Sequence, residues 1–111
     1  MSREIAVEII RQIGVLDKMA LFAWGTKKTF VLPESEKSLG GLRIHVRQNP
    51  KINAECFIDI TLNGNDLYDI KVWKQRYRTV NFVREYFEDV FATKEDIFCD
   101  DLVSVIDNIL G

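Results

Sequence analysis

The chain has 111 residues, 47% hydrophobic and 29% charged, with a net charge of −2. That is enough for one hydrophobic core and too little for two. No run of about 18 apolar residues exists, which excludes a membrane-spanning helix; Glu4 stands where a secretory leader needs a basic-then-apolar stretch, so a cytoplasmic protein is expected.

The modest net charge hides an asymmetry. Residues 1–80 carry 13 Lys/Arg against 9 Asp/Glu, whereas residues 81–111 carry 2 against 8. Solvated surfaces account for both halves; the functional alternative is two faces of opposite sign, one of which meets a charged partner.

In chain order, Ser2 offers an N-cap and Ile5, Ala6, Ile9, Ile10 and Ile13 fall at helical spacing, so a helix is predicted over about residues 3–13, stopped by Gly14. Met19 to Trp24 is a continuous apolar run that reads as a first strand, ended by Gly25. Thr29 to Leu32 reads as a further short strand, and the polar stretch from Glu34 to Ser38, closed by Gly40-Gly41, as a mobile loop.

The strongest signal runs from Leu42 to Tyr77. Leu42, Ile44 and Val46 alternate with Arg43, His45 and Arg47; Cys56, Ile58 and Ile60 alternate with Phe57, Asp59 and Thr61; a third strand spans Tyr68 to Trp73. With Gln48 opposite Ala54, the first hairpin pairs Val46–Cys56, Ile44–Ile58 and Leu42–Ile60 on one face and Arg47–Glu55, His45–Phe57 and Arg43–Asp59 on the other. A three-residue Asn63-Gly64-Asn65 loop then pairs Ile60–Tyr68, Ile58–Ile70 and Cys56–Val72, and keeps Asp69 out of the core. The outer face so built has the rows Arg43–Asp59–Asp69, His45–Phe57–Lys71 and Arg47–Glu55–Trp73. Beyond it lie Arg76, Tyr77 and Arg78.

Val83, Tyr86, Phe87, Val90 and Phe91 form a helical stripe, so a helix is predicted from Asn81 or Val83 to Phe91. Thr93 to Asp96 approximates a capping box for a last helix, Ile97 to about Leu110. The expected fold is α+β: an antiparallel meander sheet of three to five strands, with an N-terminal helix and two C-terminal helices packed on one face, in a single domain over 1–111.

Residue types that carry chemistry are sparse. His45 is the only histidine and falls mid-sheet, glycines lack phosphate-loop spacing, and Asp59, Asp69, Asp96 and Asp100 lack the pattern of a calcium loop. Cys56 and Cys99 read as free thiols, a single disulfide between them being the alternative, without C-x-x-C spacing. No catalytic, cofactor-binding or metal-ligating residue is expected. The candidate binding surface is Arg43, His45, Arg47, Phe57, Lys71, Trp73, Arg76 and Arg78, where cations and rings share one sheet face as in single-strand binders; Glu55, Asp59 and Asp69 interrupt it. Cover by a second copy of the chain is the competing reading for Phe57 and Trp73. Acidic residues from Glu85 to Asp107 could imitate a phosphate array, or could simply be solvated.

The segment Ile58-Asp59-Ile60-Thr61-Leu62-Asn63-Gly64-Asn65-Asp66-Leu67-Tyr68-Asp69-Ile70, with Ile10-Arg11-Gln12-Ile13-Gly14 and Met19-Ala20 before it and Phe87-Glu88-Asp89-Val90-Phe91 after it, resembles a group of small proteins encoded by bacteriophages and other mobile elements. The similarity spans about residues 9–93 and is most specific from Ile60 to Asp69. The resemblance implies an origin and no activity or catalytic residues. Together these observations predict a small, non-enzymatic accessory protein that binds a macromolecule, a protein in preference to nucleic acid, with a homodimer as one form and no membrane partner; the alternative is a nucleic-acid-binding domain using the open basic and aromatic sheet face.

Overall fold

The computed structural model describes residues 2–111. Its elements in order are α1 (Ser2–Leu16), α2 (Ala20–Ala23), β1 (Thr26–Leu32), β2 (Gly41–Asn49), β3 (Ala54–Leu62), β4 (Tyr68–Val80), β5 (Val83–Ile97), a single 3-10 turn (Cys99–Asp101) and α3 (Leu102–Leu110). The strands form one antiparallel meander in the order β1-β2-β3-β4-β5. The fold is thus α+β with a five-stranded sheet and three helices.

Alternation in β2, β3 and β4 sends Leu42, Ile44, Val46, Cys56, Ile58, Ile60, Ile70 and Val72 to one side, where each is at most 1% exposed. Ala6, Ile9 and Ile13 of α1, and Leu102, Ile106 and Ile109 of α3, join the same apolar cluster. Their spacing of three and four residues puts them on one stripe of each helix. Gly41 lies so close to β3 that a Cβ there would meet the Ile60 carbonyl at 2.1 Å, so only glycine lets this strand begin beside Thr61. The expected Ser2 cap depends on a side chain outside the described residues.

Several expectations are corrected, beginning with the first helix, which runs through Gly14 to Leu16 instead of stopping there. Met19–Trp24 is not a strand: Asp17 accepts a hydrogen bond from the Met19 amide at 2.9 Å, and Ala20–Ala23 makes one helical turn that buries Ala20 and Trp24. The first hairpin pairs as expected from Leu42–Ile60 to Val46–Cys56, but Asn49 rather than Gln48 stands opposite Ala54. The cause is Asn49 itself, which turns inward; its side-chain oxygen accepts from the Lys51 and Ile52 amides and its nitrogen donates to the Leu110 carbonyl. The extra residue bulges β2 and removes the Arg47–Glu55 pair.

In the second hairpin, Leu62 faces Tyr68, Ile60 faces Ile70 and Ile58 faces Val72, two residues from the expected register. Asn63 is the reason: its carboxamide oxygen accepts from the Asn65 and Leu67 amides and holds a five-residue connection, with Asp66 at φ 62°. A shift of two leaves every side chain on its expected face. The largest departure is the segment 83–91, which is strand. Val80 pairs with Val83 across Asn81-Phe82, and β4 and β5 continue past the last β3 pairing at Trp73 as a two-stranded arm. The predicted last helix is shortened accordingly to Leu102–Leu110, because Thr93–Asp96 belongs to β5. The stretch before Gly41 is tied down rather than loose: Ser35 and Ser38 bridge, and Leu39 donates to the Leu62 carbonyl at 2.8 Å.

Candidate functional site

On the outer face the register places His45 opposite Phe57 and Phe57 opposite Trp73. The three rings stack in a row, with centroids 4.6 Å apart at both contacts. A second row, Arg43–Asp59–Lys71, runs beside it, so Asp59 faces Lys71 instead of the expected Asp69. Arg43 donates two hydrogen bonds to Asp59, at 2.8 and 2.9 Å, and lays its guanidinium 4.9 Å from the Trp73 ring centroid. The Trp73 indole N–H donates to the same carboxylate at 3.1 Å.

This arrangement explains how Trp73 is buried on a face that carries no helix stripe. Its ring is covered by Phe57 on one side and by Arg43 above, and Asp59, 6% exposed, satisfies both donors. Hydrogen bonding to Asp59 raises the Arg43 pKa above its ordinary value. Lys71 reaches Glu88 at 2.6 Å and stands 4.0 Å from Asp59. Glu55 sits below the usual carboxylate range, chiefly through the charge of Lys27, with His45 adding to it. Stacking of a nucleotide base needs an open ring face, and here Phe57 is stacked between His45 and Trp73 while Arg43 lies over Trp73.

The candidate residues therefore divide into three groups. Arg43, His45, Phe57, Lys71 and Trp73 come together. Arg47 lies in the β2 bulge with an exposed side chain and takes no part. Arg76 and Arg78 belong to the arm, on the face of β4 opposite to Lys71 and Trp73, because side chains alternate. There Arg76 meets Asp89 at 3.2 Å, and Arg78 meets Glu85 at 3.6 Å and lies over Phe87. Beside the Asp59 row is a depression of about 280 Å³ lined by Ser38, Asp69, Lys71 and Glu95 among others. Asp69 is already occupied there, accepting from Asn63 at 3.0 Å and from the Asp96 amide at 3.1 Å. Among the described residues, no group of three or more His, Cys, Asp or Glu side chains is placed to hold a metal ion. Cys56 is buried, and burial pushes its thiol pKa up to about 11; Cys99 is exposed, and both are free.

What the sequence reading missed is the arm. Tyr77 and Tyr86 meet edge to face at 6.0 Å, and Arg84 covers the Tyr77 ring at 4.3 Å. At the tip, Asn81 and Phe82 have φ values of 51° and 66°, a two-residue turn of the I′ kind. Phe82 is completely exposed. Tyr77, Val83, Tyr86, Phe87, Val90 and Phe91 are each more than 40% exposed along the same ribbon. A signal existed: β-branched Val80 and Val83 flank Asn81-Phe82 symmetrically. Glycine is the usual second residue of such a turn, and its absence concealed the hairpin. No family model matches the chain, and neither a curated protein nor a solved structure matches it.

Proposed function

We propose that this chain is a small, non-enzymatic binding protein that engages a macromolecular partner, a protein rather than a nucleic acid, through the β4–β5 arm. The carrying observation is Phe82. A bulky residue with positive φ costs about 1–2 kcal/mol relative to its preferred conformation, and a fully exposed phenyl ring gains nothing from burial in the monomer. Local rules broken twice at one residue, without compensation inside the molecule, point to use of that side chain elsewhere. The rest of the arm has the composition of an interface centre: Tyr77, Tyr86, Phe87, Arg76, Arg78 and Arg84 are of the types that dominate binding energy. On this reading the helices cover one face of the sheet, the ring stack closes the other, and the arm is the working part. An accessory role in a mobile element rests on the resemblance of the 58–70 segment alone.

The test is Phe82→Gly. Relief of the left-handed strain stabilises the fold by about 1 kcal/mol in urea denaturation, while retention of the partner in affinity capture, compared side by side with the native arm, is lost. Unchanged retention by the glycine variant, or an empty capture with both, rejects the reading.

A further inference from the structure

The two free edges of the sheet, β1 and β5, are not equally guarded. In β1 an extra residue, Lys27, bulges between the pairs Thr26–Val46 and Lys28–His45. The basal half of β5 is bulged twice, at Phe91 and again around Asp96, which has φ 55°. Bulges of this kind blunt an edge against another strand, and they leave β1 only the five residues Lys28–Leu32 in unbroken register. From Val83 to Val90, by contrast, every β5 residue pairs with β4 in unbroken register, and the outer edge of the same stretch carries neither bulge nor proline. In the distal arm this ribbon has only two strands, a form that is marginal in water without further strands or cover.

The charges along that edge are self-complementary in one register. A two-fold axis perpendicular to the ribbon places each residue opposite a counterpart on the same face only when the central residue opposes its own copy. Centring on Tyr86 puts Arg84 opposite Glu88 twice, Tyr86 opposite Tyr86 and Phe82 beside Val90. Centring on Arg84, Glu85 or Glu88 opposes like charges directly, and centring on Phe87 opposes Glu85 to Asp89. Glu88 already draws Lys71 to 2.6 Å through one oxygen, which leaves the other for a guanidinium, while Arg84 rests on the Tyr77 ring instead of a carboxylate. The other edge of the arm has no such register: Lys74, Arg76 and Arg78 are its only charges, so β4 against β4 meets cation with cation or leaves them unpaired.

We infer that a second copy of this chain adds antiparallel to β5 along Val83–Val90, joining two arms into a four-stranded ribbon centred on Tyr86. This rests on the arm being the interaction element and names its first partner. Light scattering on the native chain is expected to give twice the 12.9 kDa chain mass. Arg84→Glu sets glutamate against Glu88 at both ends of the ribbon and weakens association by about tenfold or more, with an unchanged far-UV spectrum. Mixing R84E with E88R restores opposite-charge pairs at both ends and returns a heterodimer; Lys71 then turns to Asp59, 4.0 Å away. Should R84E fail to fold, Arg84→Gln is the second variant, with the same direction and a smaller effect.

A native chain that stays monomeric up to its solubility limit overturns the inference, as does an R84E chain that dimerises like the native one. A monomeric native chain whose capture of a partner still depends on Phe82 sinks the second copy and leaves the arm reading standing. Capture indifferent to Phe82, beside a dimer sensitive to R84E, keeps the second copy on the arm and overturns the capture of any other partner through Phe82.

Discussion

Asp59 holds more of the outer face together than any other single side chain. It accepts two hydrogen bonds from Arg43 and one from the Trp73 indole, while itself nearly enclosed. Asp59→Ala strands two buried or half-buried donors and loosens the ring stack they cover. An unsatisfied donor costs about 1–3 kcal/mol, and the partial exposure of Arg43 lets water recover some of that. The expected loss is therefore about 2 kcal/mol in chemical denaturation, with a change in Trp fluorescence as the indole loses its acceptor. Lys71→Ala, by comparison, touches Asp59 only at 4.0 Å and an exposed Glu88, and surface pairs of that kind contribute about 0–1 kcal/mol. Equal effects of the two substitutions would contradict the central place given to Asp59.

Strand phase survived the shifted register of the second hairpin. The inner-face residues of β2, β3 and β4 alternate so strictly that only even shifts keep them dry, and the observed shift of the β3–β4 hairpin is two. Loop length, in contrast, was set by one side chain. Asn63 is 8% exposed, closes its own turn through two backbone amides and donates to Asp69 and to Asp96, so it links the connection to the β5 bulge. Asn63→Ala removes all four contacts at once. The expected cost is about 1–3 kcal/mol, with faster amide exchange at Asn65, Leu67 and Asp96 while the β2–β3 amides stay protected. Uniformly faster exchange would mean that the turn is not a local device.

The molecule extends 47 Å along its longest axis and 21 Å along its shortest. The cluster of buried apolar residues draws nothing from the arm beyond Trp73, since Gln75 to Glu88 are exposed throughout. Excision of Gln75–Glu88, with Lys74 joined to Asp89 through Asn-Gly, should therefore leave a folded domain. Its stability should lie within about 1 kcal/mol of the parent, as for surface changes away from core or buried polar groups, while self-association and partner capture both disappear. Collapse of the domain on excision would show that the arm belongs to the fold and not to its function. The charge asymmetry between the two halves of the chain takes a different form in space as well. Gln75 to Arg84 include Arg76, Arg78 and Arg84 and no acid, whereas Glu95 to Asp107 include five acids and no base; β5 connects these regions along its length.

Alternation by itself determined the faces of β2, β3 and β4, the residues of the core, and the partnership of Arg43 with Asp59, because a period of two is a local property that any burial must respect. Apolar spacing likewise marked α1 and the end of α3. The segment 83–91 was not legible in this way. Its apolar residues fit a helical stripe, yet in the fold they divide between two faces of a ribbon that buries neither, so the pattern that signals burial had no burial behind it. Only pairing with β4 decides that segment, and pairing is a contact between residues far apart in some cases and joined here by a turn lacking its usual glycine. For the same reason Arg76 and Arg78 part from Arg43 and Lys71: composition put them together, and the pleat of an extended β4 put them on opposite sides.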